Sequence, residues 1–99
     1  MKLGLEDKKI KKIVTVFSKF EAVKKAVIFG SRARGDFDYN SDIDIAVYTN
    51  GQSITELQSD LEEAAGIYKI NLILMDELNN EQLRHNIEKD GVEIYRAKP

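Results

Sequence analysis

Two stretches decide the fold: Ala26-Val27-Ile28-Phe29-Gly30-Ser31-Arg32-Ala33-Arg34-Gly35 and Ser41-Asp42-Ile43-Asp44-Ile45-Ala46-Val47. In the first, a short apolar run stops at a glycine, which reads as a buried strand followed by a turn at Gly30-Ser31. In the second, side chains alternate with period two, placing Ile43, Ile45 and Val47 on one face and Asp42, Asp44 and Ala46 on the other. Residues 31–41, with Gly35, Asp36, Asp38, Asn40 and Ser41, read as a connector holding at most one helical turn.

The flanks supply the helices. From Leu5 to about Val23, Ile10, Ile13, Val14, Phe17 and Phe20 recur at helical spacing with lysines opposite, which predicts an amphipathic first helix. Asn50-Gly51 is a turn signal. Ser53 followed by Glu56 fits a capping box opening a helix that carries Ile54, Leu57, Leu61, Ala64 and Ala65 inward and ends at Gly66. Lys69 to Met75 reads as a third strand. Leu78 to Asp90 reads as a last helix using Leu83 and Ile87, and Val92 to Tyr95 as a short edge strand. The order predicts an α+β fold: one domain over residues 1–99, a small mixed sheet of three or four strands with its helices mainly on one face.

Composition narrows the function. Ninety-nine residues, 42% hydrophobic and 32% charged, fit one small core. Zero cysteines remove disulfides, thiolate metal sites and cysteine nucleophiles. Residues 1–12 carry no apolar stretch of signal-peptide length and no long apolar run follows, so a cytoplasmic chain with no membrane partner is expected. Fifteen basic against seventeen acidic residues give −2, so general nucleic-acid binding is not expected. Lys8, Lys9, Lys11, Lys12, Lys24 and Lys25 read as solvated helix and helix-end charges.

Asp42 and Asp44 carry the first chemical signal. At i and i+2 in a strand they point the same way, about 6.5 Å apart, and like charges so placed destabilise a sheet unless something compensates them. Carboxylates suit Mg²⁺, which is commonly held by one or two of them plus substrate phosphates; two solvent-facing acids are the plain alternative. Gly30-Ser31 follows a buried strand, where turn amides and a hydroxyl can cradle phosphate oxygens. Arg32 and Arg34 offer guanidinium forks for phosphate, or are simply solvated charges.

Two other motifs are excluded. Gly30 to Gly35 has the glycine spacing of a Walker A loop, but Asp36-Phe37 stands where Lys and Ser/Thr are required. Asp36, Asp38 and Asn40 imitate the opening of an EF-hand, yet Ser41 replaces its glycine and Val47 its bidentate glutamate. His85 on the last helix reads as a surface histidine, Asp76-Glu77 as the start of that helix, and Tyr39 either as a base-stacking ring or as connector filling.

Gly30-Ser31, the intervening residues 32–41 and Asp42-Ile43-Asp44 together resemble the signature of the polymerase-β-like nucleotidyltransferase superfamily. The stretches quoted at the outset look like its smallest members, the minimal nucleotidyltransferases encoded beside HEPN-domain partners in toxin–antitoxin pairs. The resemblance implies that Gly30 and Ser31 hold the β- and γ-phosphates of a nucleoside triphosphate and that Asp42 and Asp44 ligate Mg²⁺. It implies AMP transfer from ATP to a hydroxyl, a tyrosine of a HEPN toxin, by an antitoxin. One departure stands out: catalytic members usually have a third aspartate where Ile70-Asn71-Leu72-Ile73 places Asn71. An amide ligates weakly and takes no proton, so the alternative is a nucleotide-binding antitoxin that neutralises its partner by complex formation.

Overall fold

The structure is a computed structural model and describes residues 3–52 and 54–98. Along the chain run α1 (Asp7–Ser18), β1 (Val23–Phe29), α2 (Ser31–Arg34), β2 (Ile43–Thr49), α3 (Leu57–Ala65), β3 (Ile70–Leu74), a 3₁₀ turn (Met75–Glu77), α4 (Glu81–Asp90) and β4 (Val92–Arg96). The four strands form one mixed sheet in the order β3-β2-β1-β4. β1 is antiparallel to both β2 and β4, and β2 runs parallel to β3. The predicted α+β architecture and all four strands are present.

Strand alternation builds two cores. Ala26, Ile28, Ile43, Ile45, Val47 and Ile70 face α1 and α3, meeting Ile13, Phe17, Leu57, Leu61 and Ala65 in the larger one. The opposite face carries a smaller cluster of Val27, Ala46, Met75 and Ile87, with Phe29, Ile73 and Leu83 packed against it from β1, β3 and α4. Helices therefore lie mainly on one face, with α4 partly covering the other. Ala46 shares the period-two face of Asp42 and Asp44, but its methyl is small and apolar enough to be sealed under α4.

Several boundaries differ from those read in the sequence. α1 stops at Ser18, and Phe20 lies in the turn beyond it. β1 begins at Val23, so Lys24 and Lys25 are strand residues rather than helix-end charges. Cross-strand pairing overrides the short lysine interruption, and Lys25 Nζ stands 4.2 Å from the centroid of the Tyr48 ring. α3 starts at Leu57 with Glu56 at its N-cap position making no side-chain cap bond, while Ser53 of the expected capping box lies outside the described residues.

Asp76 and Glu77 do not begin α4. They sit in the 3₁₀ turn, where Asp76 Oδ2 accepts a 2.6 Å hydrogen bond from Thr49 Oγ1. α4 is capped instead by Asn80, whose Oδ1 accepts from the Leu83 amide at 3.0 Å. Asn80→Ala should therefore cost about 1 kcal/mol. Thermal unfolding should show this as a fall of roughly 4–8 °C.

The half-covered second face opens the site. From Tyr48 back through Ala46 to Asp44 and Asp42 the residues share one side of β2, but α4 packs only over the Ala46 end. The carboxylate end is left partly exposed.

Candidate active site

Three elements place the predicted site residues together. β1 ends at Phe29, the register partner of Asp44 on β2, and Gly30 and Ser31 follow directly. Asp44 is in turn the register partner of Asn71 on the parallel strand β3. Asp42 lies one residue before β2, in a chain fixed by the 2.8 Å bond from the Ile43 amide to the Lys69 carbonyl.

Asn71 Nδ2 joins the two carboxylates. It donates to Asp42 Oδ2 at 3.1 Å and to Asp44 Oδ1 at 2.9 Å, one amide hydrogen for each. Both aspartates are half-buried and Asn71 is exposed. The amide relieves part of the repulsion between two like charges on one face while carrying no charge itself.

Gly30 makes this closeness possible. With φ 76° and ψ −150° it occupies a region essentially restricted to glycine. A Cβ there would collide with Asp44 Oδ2. Ser31 opens α2, whose chain is tied off by bonds from the Gly35 and Asp36 amides to the Ser31 carbonyl, at 2.9 and 3.1 Å, and by Gly35 at φ 92°.

Of the two arginines expected at phosphate, one is elsewhere. Arg32 is 2% exposed, and its five N–H groups are spent on backbone carbonyls: Nε and Nη2 on Ser41 at 3.2 and 2.8 Å, Nη2 also on Tyr39 at 3.2 Å, Nη1 on Leu3 at 3.1 Å and Gly4 at 3.4 Å. A guanidinium has no further donor to offer, so Arg32 is no phosphate ligand in this arrangement. The clue was weak: its partners come from residues distant in sequence or in an irregular connector. Arg34 is half exposed and pairs with Asp36 at 3.3 Å, an exposed pair of small energetic weight. Tyr39 does not fill the connector, being 85% exposed, and His85 lies on the outer surface of α4.

The donor set fits a hard divalent cation. Asp42 Oδ2 and Asp44 Oδ1 converge on the Asn71 nitrogen at 3.1 and 2.9 Å, while the second oxygen of Asp44 lies against Gly30. Among the described residues no group of three or more His, Asp or Glu side chains is arranged to hold a metal. Mg²⁺ does not demand one, since two carboxylates with water and substrate phosphates commonly complete its octahedron.

Comparison with known proteins shows the family and the fold. The family described as "Polymerase beta, Nucleotidyltransferase" matches residues 11–99. The chain belongs to that family. Two Methanocaldococcus jannaschii relatives of this chain are provisionally named as the protein adenylyltransferases MJ1379 and MJ0604. MJ1379 is 36% identical over 78 residues, covering 73% of this chain and 77% of the relative; MJ0604 is 30% identical over 96 residues, covering 93% and 96%. Among solved structures, a toxin–antitoxin complex with AMP-PNP matches with a TM-score of 0.74 at 22% identity, over 90% of this chain and 74% of that chain. The complex of a tri-AMPylated Shewanella oneidensis HEPN toxin with an MNT antitoxin matches at 0.68 and 19%, over 90% and 71%. At these identities the likeness is one of fold. No helix among the described residues is long and apolar enough to cross a membrane.

Proposed function

We propose that this nucleotidyltransferase moves AMP from ATP onto a hydroxyl of a partner protein, as the antitoxin of a HEPN-domain toxin. The observation that carries the reading is the convergence of Asp42 and Asp44 beside the Gly30-Ser31 turn, bridged by Asn71. The names of the Methanocaldococcus relatives support the reaction, and the tri-AMPylated toxin of the fold neighbour supports a HEPN-domain partner as the acceptor.

In this reading Asp42 and Asp44 would hold Mg²⁺, which would supply charge neutralisation at the triphosphate. Gly30 and Ser31 hold the β- and γ-phosphates. The acceptor hydroxyl attacks the α-phosphorus in line and releases its proton to solvent, the bond from the α-phosphorus to the bridging oxygen breaks, and pyrophosphate leaves with that electron pair. Asn71 orients the carboxylates but takes no proton from the incoming hydroxyl. That favours a second reading, a nucleotide-binding antitoxin that acts by complex formation with little or no transfer.

Calorimetric titration of ATP, with and without Mg²⁺, tests the site. Binding should be strengthened by Mg²⁺ in the native chain, and Asp42→Ala/Asp44→Ala should bind no better with Mg²⁺ than without. Equal binding by both proteins sinks the site. The two readings then part on neutralisation of the partner: the double variant fails if transfer is required and succeeds if complex formation suffices.

A further inference from the structure

Arg32 is a buried cation with an unusual set of partners. No carboxylate pairs with it among the described residues. Its charge is met by the carbonyls of Leu3, Gly4, Tyr39 and Ser41 and by two aromatic faces, Phe37 at 5.2 Å and Tyr68 at 5.0 Å from the guanidinium carbon. Burying a charge without such partners is costly, so these contacts have to be kept together for the side chain to stay inside.

The partners lie in the connecting segments that lead into the site's elements. Arg32 follows Ser31 of the phosphate turn. The Ser41 carbonyl, which accepts two of its bonds, belongs to the peptide unit leading into Asp42. Tyr68 precedes β3 and Asn71. Leu3 and Gly4, both in the left-handed region at φ 62° and 72°, turn their carbonyls onto the same Nη1. Leu3 is the one non-glycine residue with positive φ among the described residues, and such backbone persists only where its surroundings hold it.

We infer that Arg32 is a positioning residue: its guanidinium sets the spacing between the Gly30-Ser31 turn, Asp42 and Asn71 without touching nucleotide. The inference rests on the site proposed above but concerns the chain's own geometry. A lysine cannot substitute, because a point charge with three donors cannot span carbonyls on both arms of a planar fork.

The test is ¹⁵N NMR on the native protein, Arg32→Lys and Phe37→Leu, followed by ATP titration. In the nucleotide-free native protein the Arg32 Nε–H should exchange slowly. In Arg32→Lys the Asn71 side-chain amide and the Ser31, Asp42 and Asp44 backbone amides should shift while those of α4 stay in place. The Mg²⁺-dependent gain in ATP affinity should then fall about 10–100-fold, as when groups that orient metal ligands are removed. Phe37→Leu trims one aromatic face and keeps all five bonds. It should lower the melting temperature yet leave the site signals and the gain intact.

The inference is overturned if Arg32→Lys leaves the Asn71 and Asp42 signals unmoved, or if Phe37→Leu moves them equally. Should Arg32→Lys not fold, the native protein decides: fast Nε–H exchange, or a large Nε–H shift on adding Mg·ATP, would overturn the inference. If the native chain binds no Mg·ATP, the proposed nucleotide site fails, while the nucleotide-free spectra still judge Arg32.

Discussion

Replacing Asn71 by Asp should raise the rate of AMP transfer by about 10²- to 10⁴-fold, the usual contribution of a positioned general base. On the proposed transfer reading the position suits a base. Asn71 is the register partner of Asp44, and its terminal atoms lie within hydrogen-bond reach of both carboxylates. Only the chemistry of the terminal group is missing, because an amide cannot accept the acceptor's proton. The change has an opposite sign without metal: a third carboxylate replaces a donor to two others, and like charges opposite each other in a sheet destabilise it by about 0.2–1 kcal/mol. Asn71→Asp should therefore melt lower than the native chain in EDTA and gain more from added Mg²⁺. Labelled AMP transferred to the partner is the readout for rate. A variant that binds Mg·ATP and shows the Mg²⁺-dependent melting, yet transfers no faster, would favour the complex-forming antitoxin.

Gly30→Ala should damage both stability and the site. The backbone there lies in a region that costs a residue with a side chain about 1–3 kcal/mol, which thermal unfolding would record as a fall of several degrees. The added methyl has nowhere to go, since Asp44 Oδ2 occupies its place. Either the carboxylate or the turn must move by something near an ångström, and a displacement of that size can lower a rate about 10²-fold. A folded Gly30→Ala with unaltered Mg²⁺-dependent ATP binding would show that the turn and Asp44 do not form one site.

Much of this arrangement was legible because it depends on local periodicity. Alternation over residues 42–49 places Asp42 and Asp44 on one side of a strand, and a glycine closing an apolar run marks the turn beside them. What escaped depends on tertiary partners. Arg32 looks like any loop arginine next to a glycine turn, since nothing local reveals that carbonyls from residues 3, 4, 39 and 41 converge on it. Ala46 looks like a neighbour of the acids on an open face, because the helix that covers it arrives some forty residues later. Lys24 and Lys25 interrupt an apolar run, and only pairing with β2 and β4 shows that they are strand. Asn71 was visible as a substitution, but its bridging role required both aspartates to be in place.

The strand order β3-β2-β1-β4 bears on how the chain is made. β1, whose end carries Gly30, is flanked on one side by β2 and on the other by β4, the last of the four strands in chain order. Until Val92–Arg96 is synthesised, the nascent sheet has a bare apolar flank on β1, the kind of edge that recruits foreign strands. Closing it joins segments some seventy residues apart, a slow step for a β topology. The nascent sheet is thus exposed to mispairing from the time β1 has paired with β2 until β4 emerges, and that strand both completes the sheet and ends the exposure.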